Sequence, residues 1–346
     1  MKPLIKPERL RPGDTVATIS ISGGRAGDAD MLWRYELGKK RLEDIFGLRV
    51  VETPHGLRGS RYLYENPQAR AEDLHWALEN PAVKGIVANM GGDDSYRLLP
   101  YLDYELIRSH PKIYMGFSDI TTTCCCFARA GVMSYYGPSL LTPIAQPGRL
   151  DEYTENAIRR TLFSGETVGP VEPCKRHTPI EWQDKAEREI VWQENQGYQL
   201  IQGHGKVRGR LIGGCLGPLQ QIMGTEAFPS RESWEGSLLF IENFAPYGSR
   251  LAELHGWRAL AACGALEKCS GLITPAMSQE GMEILRRVLK YEVGREDLPV
   301  LANVDFGHRT PMTVLPVGAL AEIDCEAAAF TILESGAGAA QDSVPL

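Results

Sequence analysis

Lys112-Ile-Tyr-Met-Gly-Phe-Ser118-Asp119-Ile-Thr121 carries the decision about the fold. Residues 112–117 are apolar, β-compatible and preceded by Pro111, so they read as a short buried strand. From Asp119 onward, Ile120, Thr121, Thr122, Cys124, Phe127 and Ala128 suit a helix packed on a sheet. Ser118 therefore falls at the turn between strand and helix. A serine there has an exposed hydroxyl beside the free N–H groups and positive dipole end of the helix. The position resembles a nucleophile elbow. Its flanks depart from G-x-S-x-G: Gly116 is present, but Ile120 fills the second glycine position. The same serine also fits a plain helix N-cap, and both readings stand at this point.

Upstream, the pattern of this stretch repeats. Strands are expected at 15–21, 48–52 and 83–90, with helices at 31–45, 67–79 and from 95 to 102. Such alternation predicts a doubly wound parallel sheet. Ligands sit beyond the carboxyl ends of the strands in such sheets. Ser118 lies at one such end and Gly91-Gly92-Asp93-Asp94-Ser95 at another. Ser22-Gly23-Gly24 follows the first strand, but its spacing is not that of a dinucleotide fingerprint.

The first domain is expected to span 1–165, closing with a helix at 154–163. Residues 166–205 hold Trp182, Trp192, Tyr198 and several prolines among many charges. That segment is too long for an ordinary loop and too aromatic for a disordered linker; it reads as a linker and site-covering loop. A mixed α/β domain is expected over 206–333. It has apolar strands at 237–242, 271–274 and 299–304, helices at 218–223, 251–260 and 282–291, and a closing strand pair at 320–323 and 328–333. Residues 334–346, small and Gly/Ala-rich, are expected to fray.

The chain has 346 residues, 43% of them hydrophobic, and a formal net charge of -7. That length supports two domains, and the charge offers nothing to nucleic acid or an anionic membrane. No apolar run approaches a membrane span, and Met1 to Pro7 is too poor in apolar residues for a signal peptide. None of the eight cysteines forms a C-x-x-C pair, so they read as buried hydrophobes or free thiols in a reducing compartment. A cytoplasmic protein without a metal site is expected.

Three groups stand out. Ser118 is at the turn, Glu242 ends an otherwise apolar strand, and His308 follows another. Each has an ordinary structural explanation; together they supply a serine hydrolase. Serine needs a base to take its proton, imidazole can do so and then protonate the leaving group, and a carboxylate fixes the imidazole tautomer. Gly91-Gly92 and the N–H of Asp119 offer backbone donors for an oxyanion hole, with Gly92 and Asp119 as the donors. A non-catalytic binder of nucleotide or peptidoglycan fragments would use the same cleft without needing all three groups.

The chain resembles the serine LD-carboxypeptidase family, which includes muramoyl-tetrapeptide carboxypeptidases and microcin C self-immunity peptidases. The resemblance covers roughly residues 12 to 330 and rests on ordered motifs: Gly91-Gly92-Asp-Asp-Ser95 with Leu98-Leu-Pro-Tyr-Leu-Asp103-Tyr104, Gly116-Phe-Ser-Asp-Ile-Thr121, Tyr136-Gly137-Pro138, Leu211-Ile-Gly-Gly214, Phe240-Ile-Glu242 and Gly307-His308. It implies a Ser118–His308–Glu242 triad, and a doubly wound, flavodoxin-like nucleophile domain joined to a smaller mixed domain. It also implies a homodimer and no metal or organic cofactor. The Gly-Gly-x-x-Ser form and the tryptophan-bearing loop are more similar to the microcin-immunity branch. That branch cleaves an acidic aminoacyl group from a nucleotide-like leaving group, whereas the carboxypeptidase branch releases D-alanine. On this resemblance Gly91, Asp93 and Ser95 are expected to bind substrate, and Trp182 to stack on a base. Cys215 stands where the family often has Asn, which leaves any polar contact from that position open.

Overall fold

The computed structural model describes residues 2–180, 190–243 and 250–339. Its first sheet is built from β1 (Thr15–Ile19), β2 (Arg49–Glu52), β3 (Val83–Ala88), β4 (Ile113–Gly116) and β5 (Tyr135–Tyr136), side by side in the order 2-1-3-4-5. All neighbouring pairs among these five are parallel, as the helices between them require. Val16, Ala17, Ile19, Ile86, Ala88 and Tyr114 are fully buried, which explains why β1, β3 and β4 read as continuous apolar runs. Gly116 ends β4 because a Cβ there would stand 2.8 Å from that of Ala88 and 3.0 Å from Ile120. The helix Pro67–Glu79 begins on its proline and coincides with the expected span. The expected helix at 31–45 is observed at Leu32–Phe46, closed by Gly47 in the left-handed region.

The segment 166–205, expected as linker and loop, instead contributes short strands: β6 (Thr167–Val171), β7 (Arg176–Pro179), β8 (Gln193–Glu194) and β9 (Gln199–Gln202). The chain continues with β10 (Lys206–Cys215), β11 (Leu238–Glu242), β12 (Gly271–Ile273), β13 (Val300–Ala302), β14 (Arg309–Thr310), β15 (Leu315–Pro316), β16 (Leu320–Asp324) and β17 (Ala329–Ser335). A second sheet runs 6-17-16-10-11-12-13-9. Its centre, β10 to β13, is parallel; β16, β17 and β6 extend one side antiparallel, and β9 covers the other edge. The closing pair anticipated at 320–323 and 328–333 is β16 and β17. β7, β8 and β14 form a small third sheet.

The two large sheets are tied together by more than the chain connection. β15 returns to the first sheet and pairs antiparallel with β5. Thr121 Oγ1 accepts the N–H of Cys215 at 2.9 Å, drawing the end of β10 onto the helix Thr121–Ala130. A Cβ on Gly214 would collide with Thr121. The start of the expected frayed tail is also held: Gly338 N–H donates to Pro7 O at 2.7 Å, and Tyr135 OH to Gly336 O at 2.8 Å. Residues 340–346 lie outside the described residues.

Candidate active site

Ser118 stands one residue beyond the end of β4, past Phe117, with φ of 63°. Left-handed backbone is unfavourable for a residue with a side chain, by roughly 1–2 kcal/mol, so the turn holds Ser118 against its own preference. The hydrogen bonds that hold it are visible. Its N–H donates to Tyr136 OH at 3.1 Å, and its carbonyl accepts from Thr121 Oγ1 at 2.7 Å. A short 3-10 turn, Ser118–Ile120, leads into the helix. Ser118 forms no side-chain cap there, so the N-cap reading does not describe it. It is partly exposed, while residues 113–117 and Asp119 are buried.

Glu242 is the last residue of β11 and only 3% exposed. Its Oε2 accepts Tyr136 OH at 2.8 Å. Its Oε1 meets His308 Nδ1 at 2.7 Å and also accepts the His308 backbone N–H. His308 follows β13 through a tight turn. Gly307 there has φ of 80°, and any Cβ on it would run into the Glu242 carboxylate, so only glycine lets the histidine approach. The imidazole packs on Phe117 at 5.1 Å between centroids, edge to face; Phe117 is the residue before Ser118. The carboxylate thus engages Nδ1 and orients the ring. Tyr136 is fully buried, packs against Phe240 and Phe306, and is the hinge of the arrangement. Its hydroxyl joins the turn after β4 to the end of β11. Burial and the neighbouring Glu242 charge raise the Tyr136 pKa far above the usual phenol, so it stays protonated and donates. Sequence reading quoted Tyr136 within a motif but gave it no role, because its partner is 106 residues away.

The Gly91–Ser95 loop packs against this centre. A Cβ on Gly91 would stand 2.8 Å from Ser118 Cβ, 3.0 Å from its Oγ and 3.3 Å from Asp119 N. Gly91 O accepts Gly23 N–H at 2.9 Å, so the loop after β1 supports it. Gly92 and Asp93 are exposed, and Asp93 O accepts Gln221 Nε2 at 3.1 Å. Ser95, expected to bind substrate, is fully buried and committed elsewhere. Its N–H and hydroxyl go to Asp119 Oδ2 and Asp119 O, each at 2.8 Å. Ser22 Oγ donates to the same Oδ2 at 2.5 Å. The Asp119 side chain therefore fastens both loops to the Ser118 turn, and desolvation raises its pKa.

Asp305, a carboxylate near His308 in sequence, is fully buried and holds Cys174 and Asn195 instead. It accepts Cys174 N–H at 2.7 Å and Asn195 Nδ2 at 3.2 Å and lies 3.2 Å from Arg309 Nη2. Trp192 is partly buried, with the Arg176 guanidinium 4.2 Å over its ring. Trp182 lies outside the described residues. No group of three or more His, Cys, Asp or Glu side chains suited to a metal occurs among the described residues, and none of their helices is long and apolar enough to cross a membrane.

A serine on a left-handed strand–helix turn of one sheet and a carboxylate–histidine pair on the other are thus joined through Tyr136. The chain belongs to the LD-carboxypeptidase family: its N-terminal domain model matches residues 16–137 and its C-terminal domain model residues 208–323. The chain is 29% identical over 329 residues to the putative carboxypeptidase YocD of Bacillus subtilis (91% of this chain, 95% of that one). It is 30% identical over 344 residues to the microcin C7 self-immunity protein MccF of Escherichia coli (94% of each chain). Among solved structures it is similar to MccF in complex with aspartyl sulfamoyl adenosine. The TM-score is 0.84 at 26% identity, covering 96% of this chain and all of that one.

Proposed function

We propose that this protein is a serine hydrolase in which Ser118 is the nucleophile, His308 the general acid/base and Glu242 the group that orients and charges the imidazole. The observation that carries the reading is the bonded chain Ser118 N–H to Tyr136 OH to Glu242 to His308. His308 Nε2 takes the Ser118 proton as Oγ attacks the substrate carbonyl. The oxyanion faces the N–H groups of Gly92 and Asp119. Collapse breaks the bond to the leaving group, which receives the proton from His308, and water releases the acyl group by the same steps in reverse. None of these steps calls for a metal or organic cofactor.

The five parallel strands of the first sheet, in the order 2-1-3-4-5, fit a doubly wound, flavodoxin-like domain, whose switch points favour ligands at strand carboxyl ends. The substrate is read as an acidic aminoacyl group joined by an amide or amide-like bond to a nucleotide-like leaving group. Similarity to MccF over nearly the whole chain supports this. The protein is further read as a cytoplasmic homodimer with 1–165 and 206–333 as its two domains, and Gly91 and Asp93 at the substrate's edge. The test is parallel hydrolysis of aspartyl sulfamoyl adenosine and an L,D-linked muramoyl tetrapeptide, followed by mass spectrometry. Release of aspartate is expected. Release of D-alanine alone would move the protein to the peptidoglycan carboxypeptidases, and cleavage of neither would remove the substrate assignment.

A further inference from the structure

The mechanism proposed for Ser118 needs the Gly92 N–H held in one place, because an oxyanion donor works only if it is already aimed. The sequence around it does not provide this. Gly91 and Gly92 are adjacent, just beyond β3, and glycine backbone is the least restrained. Packing supplies part of the restraint. A Cβ on Gly92 would run into Ser22 Oγ and stand 2.7 Å from Gly23 N, while one on Gly91 would stand 2.8 Å from Ser118 Cβ. The glycine pair is wedged between the loop after β1 and the Ser118 turn. In so close a fit, a shift of either neighbour is passed on.

Two buried side chains bond to both the loop after β1 and the loop after β3. One is Asp119, through Ser22 and Ser95. The other is Arg70, in the helix Pro67–Glu79 and 0% exposed. Its Nη1 donates to Ser22 O at 3.0 Å and to Asp94 Oδ1 at 2.7 Å, and its Nη2 to Asp94 Oδ2 at 3.1 Å. Arg97 Nη1 reaches the same Oδ2 at 2.9 Å. A fork on a carboxylate fixes orientation as well as distance. Stability is a poor reason for this cation: taking a guanidinium out of water is costly, and an apolar side chain of similar volume often serves the fold as well. Arg70 Nε is buried without a hydrogen-bond partner, which adds to the cost. What the guanidinium does supply is a fixed link between Ser22 and Asp94, on either side of the glycine pair.

We infer that Arg70 is a positioning residue for the Ser118 reaction, holding Gly91–Gly92 through Asp94 and Ser22 so that the Gly92 N–H faces the oxyanion. The inference rests on the serine-hydrolase reading. Arg70 acts through the two loops on which its bonds end, not on substrate.

The test is the rate at which a fluorophosphonate labels Ser118 in the full chain, resolved into a binding constant KI and a maximal rate kinact. Attack on phosphorus builds charge on the phosphoryl oxygen and so draws on the oxyanion donors, and no choice of substrate enters. Arg70→Lys keeps a cation without the fork. Asp94→Asn, at a partly exposed position, keeps the shape without the charge. Each should lower kinact by about ten- to a hundredfold with KI unchanged. The double variant should lose less than the product of the two, since both act through one loop. Arg295→Lys is the control for lost stability alone. Arg295 binds Glu267 O at 2.6 Å and Cys269 O at 3.3 Å, before the start of β12, and kinact should not change there. A parent-like kinact in both Arg70→Lys and Asp94→Asn, or an equal loss in Arg295→Lys, would overturn the role of Arg70 and leave Ser118 as nucleophile. A parent in which Ser118 is not labelled would overturn the serine-hydrolase reading itself, and this inference with it.

Discussion

Replacing Tyr136 with phenylalanine removes one oxygen and two hydrogen bonds while keeping the ring packed between Phe117, Phe240 and Phe306. The bond from Ser118 N–H is of the neutral kind, worth about 1 kcal/mol, and the bond to the Glu242 carboxylate is charge-assisted, worth about 1.5–3 kcal/mol. Their sum is a loss of about 2.5–4 kcal/mol. Part of it falls on stability and part on the placement of the nucleophile and the orienting carboxylate. Tyr136 acts through its neighbours, so kcat is expected to fall while KM holds. The assay is a double-mutant cycle of Tyr136→Phe and Glu242→Gln by urea unfolding, with kcat and KM of the single variants. Additivity within about 0.5 kcal/mol, together with an unchanged kcat in Tyr136→Phe, would refute the view that the tyrosine links the two groups.

Other perturbations bear on the same site. Ser118→Gly and Ser118→Ala should both abolish turnover, but the glycine variant should be more stable by about 1 kcal/mol, since only alanine keeps the penalty of a positive φ; equal melting curves would remove the strain argument. Gly91→Ala should lower kcat at least tenfold with little change in fold, as its methyl would meet Ser118 Oγ at 3.0 Å; a full rate in that variant would place the loop elsewhere. Asp119→Asn keeps an acceptor for Ser22 and Ser95 without the charge. The folded-state pKa of Asp119 is raised above 3.8 by desolvation, so the native protein holds this proton more tightly than the unfolded chain. The contribution of Asp119 is thus most favourable at low pH and is lost as pH rises through the folded pKa. The asparagine variant should gain stability relative to the parent over that rise, and a difference independent of pH would contradict the assignment.

The strand–turn–helix at 112–130 was legible because burial on both faces leaves an unbroken apolar run and Gly116 marks the close approach. The helix Pro67–Glu79 was legible from its proline start. The short strands β6 to β9 were not, because strands of two to five residues are too short to show a period, and β6 and β7 also carry prolines. The return of β15 to the first sheet was equally hidden, since Leu315–Pro316 is too short to carry a pattern. Glu242 and His308 could be picked out as polar residues ending apolar strands. The tie that Tyr136 makes between them and Ser118 is a long-range contact and leaves no local mark. The burial of Ser95 left no local mark for the same reason, since its partner Asp119 lies 24 residues away.

The central claim is that Ser118 is an activated nucleophile, and covalent labelling tests it most directly. The full chain would be treated with a fluorophosphonate probe, digested, and mapped by mass spectrometry. A single adduct on Ser118 is expected, slowed by orders of magnitude in His308→Ala and absent in Ser118→Ala. An adduct on another residue, or labelling of Ser118 at the same rate without His308, would contradict the account.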